Sequence, residues 1–98
     1  LRAQFNLTWK FKGVYSTPHF DHDFKHKNII IYCNKFTKGS TYLFKETYRD
    51  KKPKTIMKEM KADKGKYFIF PGQNIHAAGF PGKEGELRII CIFTLEDK

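Results

Sequence analysis

Arg2-Ala3-Gln4-Phe5-Asn6-Leu7-Thr8-Trp9-Lys10-Phe11-Lys12 alternates polar and apolar residues without a break. A period of two places Ala3, Phe5, Leu7, Trp9 and Phe11 on one side of an extended chain, so the stretch reads as a strand whose apolar face is buried. Gly13 ends it, and the short segment Val14-Tyr15-Ser16 leads into Pro18 and a charged loop from His22 to Lys27.

The same reading continues downstream. Asn28-Ile29-Ile30-Ile31-Tyr32-Cys33 is β-branched and apolar on both faces, which suits a central strand. Asn28, Ile30 and Tyr32 share one of those faces. Residues 34–40 form a turn, with Gly39 as the residue of positive φ. Strands follow over Thr41–Phe44, Thr55–Met60, Tyr67–Phe70, Asn74–Ala78 and Leu87–Leu95. They are separated by a polar turn at 48–53, a turn at Asp63-Lys64-Gly65-Lys66, the pair Pro71-Gly72 and a Gly/Pro-rich hairpin over 79–85. No stretch carries a helical period, and no repeat or linker interrupts the chain. Short strands at this spacing indicate an all-β sandwich or barrel, in one domain over residues 1–98.

Composition bounds the function. With 40% apolar residues, including ten Phe, five Tyr and one Trp, the 98-residue chain can bury a core. No apolar run approaches the roughly 20 residues of a membrane-spanning helix. The first residues lack a basic and then apolar leader and lack Met, so the sequence reads as a piece of a longer chain or a processed form, without a signal peptide. Cys33 and Cys91 sit in apolar strand-like runs and read as buried free thiols of a cytoplasmic protein, with a disulfide staple as the less favoured alternative. The net charge of +9 concentrates between Lys45 and Lys66, where nine Lys/Arg face four Asp/Glu. A solvated hairpin that keeps strand edges soluble is favoured there over a nucleic-acid surface, because lysine dominates and no aromatic-glycine RNA-binding motif is present.

Two features carry chemistry. In Pro18-His19-Phe20-Asp21, His19 and Asp21 lie two apart and share a face if the segment is extended. His76 is the single histidine downstream of His26. Two histidines and one carboxylate are the ligand set of a non-haem Fe(II) oxygenase site, which holds the metal from one side and leaves three positions open. Arg88 opens the apolar strand Arg88-Ile89-Ile90-Cys91-Ile92-Phe93. An inward Arg88 shares its face with Ile90 and Ile92 and requires a carboxylate partner, which a bound dicarboxylate supplies in a bidentate fashion. Other readings stand beside this one: the His22-Asp23 pair, a zinc site from His22 and His26 if that loop is helical, and histidines and an arginine that merely face water.

These residues resemble the 2-oxoglutarate- and Fe(II)-dependent dioxygenases, in particular the prolyl-4-hydroxylase-like branch common in phage and marine viral genomes. The resemblance runs from about Val14 to Leu95. Tyr15-Ser16-Thr17-Pro18-His19-Phe20-Asp21 is similar to the approach to the first two ligands, and Ile30-Ile31-Tyr32-Cys33-Asn34 to the strand that follows. Lys38-Gly39-Ser40-Thr41-Tyr42-Leu43-Phe44 resembles the family's Gly-Gly-Thr strand. Gly65-Lys66-Tyr67-Phe68-Ile69-Phe70-Pro71-Gly72 with His76 resembles the delivery of the last ligand, and Leu87 to Phe93 the last core strand.

The resemblance implies a double-stranded β-helix, the jelly-roll barrel shared with cupins. It implies His19, Asp21 and His76 as iron ligands, and Arg88 with Tyr32 on the distal carboxylate of 2-oxoglutarate. Fe(II) and 2-oxoglutarate would be the cofactors, with ascorbate as a possible reductant. O2 and an unidentified peptidyl or small-molecule substrate would be the other partners, in the cytoplasm of the cell or of a viral host.

The family's bracing helices before the barrel are missing here, which implies a homo-oligomer that covers the sheet. The arginine pattern of the DNA-repair branch, Arg-x-Asn-x-x-x-x-x-Arg, is absent after Arg88. Two rivals remain: a cupin-like module that binds metal or a small ligand without turnover, and a basic nucleic-acid-binding protein.

Overall fold

The computed structural model describes residues 2–22, 24–50, 52 and 55–96. Among these it is all-β: β1 (Arg2–Trp9), β2 (His26–Tyr32), β3 (Thr41–Thr47), β4 (Ile56–Met60), β5 (Tyr67–Pro71), β6 (Asn74–Ala78) and β7 (Leu87–Glu96). Two antiparallel sheets form, one of order β1-β7-β2-β5 and one of order β4-β3-β6. Residues 14–19 run antiparallel along the free side of β6. Ser16 N–H meets Ala78 O at 2.8 Å, Phe80 N–H meets Val14 O at 3.0 Å, and His19 and His76 exchange both main-chain bonds at 2.9 and 2.8 Å. No described helix is long and apolar enough to cross a membrane.

The sheets face each other across one main core cluster of Ile30, Tyr32, Leu43, Met60, Phe70 and Ile90. β2 is central, as its two-sided apolar run requires: His26, Asn28, Ile30 and Tyr32 point inward and are buried, while Ile29 and Ile31 face outward. A smaller cluster of Phe44, Ile75 and Ala77 packs under Tyr15 and Tyr42.

The turns fall where glycine permits them. Gly65 turns the β4–β5 connection at φ 83°, and Gly39 sits before β3 at φ 72°. At Gly39 a Cβ would also stand 2.5 Å from the Phe36 ring, so any side chain there would have to displace that ring.

β1 departs from the sequence reading. The alternation is real, but its apolar phase faces outward: Phe5, Leu7, Trp9 and Phe11 are 67%, 49%, 62% and 72% exposed. The cause lies in the register. β1 is an edge strand paired only with β7, with Thr8 opposite Arg88 and Asn6 opposite Ile90. Arg88 and Ile90 point inward, so Asn6 and Thr8 do too and line a cavity, while Phe5 and Leu7 join Cys91 and Ile89 on the outer face. Cys33 and Cys91 are free thiols, partly buried.

The lysine-rich stretch from Lys45 to Lys66 lies along β3, β4 and the turns beside them, with Lys51, Pro53 and Lys54 outside the described residues. Its described lysines are exposed, and the ammonium groups of Lys58 and Lys66 sit 5.6 and 5.4 Å from the centre of the Phe68 ring.

Candidate metal centre

His19, Asp21 and His76 converge, each offering one ligand atom, with these atoms all within 4.8 Å of one another. Main-chain pairing brings them together. The exchange of bonds between residues 19 and 76 sets the two histidines side by side with ring centres 4.6 Å apart, and Asp21 follows two residues later. His19 Nε2 lies 3.4 Å from Asp21 Oδ1, and His76 Nε2 lies 3.5 Å from Asp21 Oδ2. The group sits at a mouth: the His76 side chain is 8% exposed and that of His19 50%.

The ring geometry suits a metal. His19 Nδ1 lies 3.2 Å from Thr17 O, and His76 Nδ1 lies 3.0 Å from Asn74 O. A carbonyl only accepts, so each Nδ1 carries a proton and donates. Each Nε2 is thereby turned toward Asp21, where a cation would find two imidazole lone pairs and one carboxylate. In the metal-free protein the same proximity shifts the acid–base balance. Hydrogen bonds from His19 and then His76 hold the Asp21 carboxyl well below the usual carboxylate range, against the opposing effect of burial. The bond to Asp21 raises His19, again against burial.

Behind the ligands a cavity runs between the sheets, lined by Asn28, Ile30, Phe70, Ile90 and Ile92, with Thr8, Thr41 and Arg88 at its polar part. Arg88 is fully buried. Its Nε donates to Gly39 O at 2.8 Å and its Nη2 to Thr41 Oγ1 at 2.7 Å, while Nη1 is buried without a partner. Among the described residues no carboxylate meets it, and burial lowers its pKa. A buried guanidinium with an idle donor costs about 1–3 kcal/mol or more until an acceptor arrives.

Tyr32, expected on the cosubstrate carboxylate, stands one step back. Its hydroxyl donates to Met60 O at 2.8 Å and accepts from Thr41 N–H at 3.1 Å. With that proton spent, the 2.8 Å contact to Thr41 Oγ1 is donated by the threonine, which in turn accepts from Arg88. The Arg88 guanidinium carbon lies 5.6 Å from the centre of the Tyr32 ring. Tyr32 thus braces Thr41 and Arg88, and its hydroxyl is not aimed at the cavity.

The other histidines do not join the centre. His26, placed in the loop by the sequence reading, is buried at the start of β2 with its ring packed where a Cβ on Gly72 would be. Its Nδ1 lies 2.7 Å from Phe24 O. His22 stacks on Phe24 and meets the His26 ring nearly perpendicularly, in a segment that is not helical. Asp23 lies outside the described residues.

Sequence reasoning missed Thr41, Thr8 and Asn6 as cavity residues, and it set Asn28 on the face of Ile30 and Tyr32 without giving it a role. The available signal was Asn28 itself, a polar residue on the inward phase of an apolar central strand. No protein-family model, curated protein or solved structure matches this chain.

Proposed function

We propose that this chain is an Fe(II)- and 2-oxoglutarate-dependent oxygenase that hydroxylates a peptidyl or small-molecule substrate. The observation that carries the reading is one cavity with a His-Asp-His group at its mouth and a buried arginine lacking a carboxylate inside it. The strand orders β1-β7-β2-β5 and β4-β3-β6, with residues 14–19 beside β6, support a double-stranded β-helix as the architecture.

In this reading His19 Nε2, His76 Nε2 and an Asp21 oxygen would hold iron. Bound iron would supply the one-electron chemistry that couples O2 to a C–H bond. The net reaction is R–H + O2 + 2-oxoglutarate → R–OH + succinate + CO2. Arg88 Nη1 would take the distal carboxylate of 2-oxoglutarate. Thr41, held by Tyr32, keeps the guanidinium from turning away. Ile30, Ile90, Ile92 and Phe70 keep the space between apolar, which strengthens the ion pair at the Arg88 end. Ascorbate would serve as a reductant that keeps the metal ferrous.

The test is O2 uptake and succinate formation with Fe(II) and 2-oxoglutarate, in the parent and in His76→Ala. Turnover in the parent that is lost in the variant is the expected result. Stoichiometric metal binding with neither 2-oxoglutarate binding nor turnover would make the chain a metal-binding module instead.

A further inference from the structure

The three ligands of the proposed centre are each held from behind, but not in the same way. His19 and His76 are each tied by Nδ1 to a main-chain carbonyl two residues earlier, which no substitution at the carbonyl's own side chain removes. Asp21 is tied by a side chain: Asn28 Nδ2 donates to Asp21 Oδ2 at 3.2 Å.

Asn28 is 1% exposed and sits on central β2, directly across from Thr94 on β7. The Thr94 hydroxyl donates to Asn28 Oδ1 at 3.4 Å. A carboxylate only accepts, so the amide NH2 must face Asp21, and the threonine hydroxyl then meets the amide oxygen. The two contacts fix the amide at both ends.

We propose that Asn28 is a positioning residue that makes Asp21 a one-oxygen metal ligand, with Thr94 setting the orientation of the amide. Oδ2, 3.5 Å from His76 Nε2, carries the amide behind it, so Oδ1, 3.4 Å from His19 Nε2 and without an amide, is the oxygen left for the metal. This role rests on the metal-centre reading above. Its consequence is a matter of coordination positions. With three protein donors in place, a bidentate 2-oxo acid and O2 together need every remaining position of a six-coordinate ion. A carboxylate that swung to bind through both oxygens would take one of them. Asn28 prevents that swing, and it is the tether in the centre that a substitution can remove without touching a ligand.

The probe is Co(II), titrated under anaerobic conditions and followed by its visible absorption, which reports coordination number as well as occupancy. Asn28→Ala is expected to weaken Co(II) by about 10–100-fold, the usual effect of losing a partner behind a metal ligand, and to change the shape of the spectrum. Thr94→Val keeps the side-chain volume, and Thr94 is only half-buried, so this variant tests the same tether if Asn28→Ala does not fold. It should move affinity and spectrum in the same direction by less, while Thr94→Ser behaves as the parent. Parent affinity and an unchanged spectrum in folded Asn28→Ala, or in Thr94→Val should the former not fold, would overturn the role and leave the centre standing. A parent chain that binds no Co(II) would overturn the centre and the role together.

Discussion

Arg88 shows how much a single buried residue can constrain a function. Two of its donors go to uncharged oxygens, Gly39 O and Thr41 Oγ1, and a third has no acceptor among the described residues. Truncating one member of a buried charged pair costs on the order of 2–5 kcal/mol of binding. Arg88→Ala is therefore expected to weaken 2-oxoglutarate by about 30-fold or more, with metal affinity nearly intact, as calorimetric titration would show. Arg88→Lys should recover only part, because an ammonium cannot reach Gly39, Thr41 and a carboxylate in one plane. Unchanged 2-oxoglutarate affinity in Arg88→Ala would remove the arginine from the site.

The ligand triad makes its own prediction in the metal-free protein. Asp21 is held below its ordinary range, so its contribution to stability is present above the unfolded carboxylate value of about 3.9 and is lost as pH falls through and below it. His19 is raised, so its contribution is present below the ordinary histidine value of about 6.5 and is lost as pH rises through the raised value. The pairing therefore stabilises the metal-free chain most between these two limits. The melting-temperature difference between the parent and Asp21→Asn should peak there and shrink at both extremes. A difference that does not vary with pH would contradict the pairing.

At the scale of the element, β1 and β2 teach opposite lessons. β2 was legible: a β-branched run apolar on both faces is a central strand, and it lies between β7 and β5. The strands after it were legible too, because Gly39, Gly65 and Pro71-Gly72 punctuate them. β1 was legible as a strand but not in phase. Alternation shows that two faces differ, and only the partner's register shows which one faces the cavity.

The consequence is measurable by denaturant unfolding. Leu7, 49% exposed, should tolerate Ala at a cost of about 0.5 kcal/mol or less, whereas Ile30, 2% exposed, should lose about 2–5 kcal/mol. Equal, large losses at both positions would mean that the outer face of β1 is covered.

The cavity residues were harder to read for a related reason. Thr41, Thr8 and Asn6 look like ordinary polar positions along strands, and only the pairing of β1 with β7 and of β3 with β6 turns them toward Arg88 and His76. Tyr32 was set inward only by the family resemblance, and its hydrogen bonds were not legible, since Met60 O arrives from a strand 28 residues away. His19 and Asp21 could be paired from their spacing. The approach of His76, 57 residues from His19, is set by the pairing of residues 14–19 with β6.

At the scale of the whole molecule, two sheets enclose one cavity and leave a broad apolar surface on the far side of β1-β7-β2-β5, where Phe5, Leu7, Trp9, Tyr67 and Ile69 are exposed. Surfaces of this kind mark association. Lys45 of β3 and Lys58 of β4 belong to the other sheet, whereas Lys27 shares the outer phase of β2 with Ile29 and Ile31.

In the proposed function the cavity holds a metal and a 2-oxo dicarboxylate together, one at the His-Asp-His mouth and the other reaching back to Arg88. Anaerobic addition of Fe(II) and then 2-oxoglutarate, followed by visible absorption, tests it most directly. A charge-transfer band is expected that appears only with both present, saturates at one equivalent of each, and is absent in His76→Ala. No band, or a band of parent strength in His76→Ala, would contradict it.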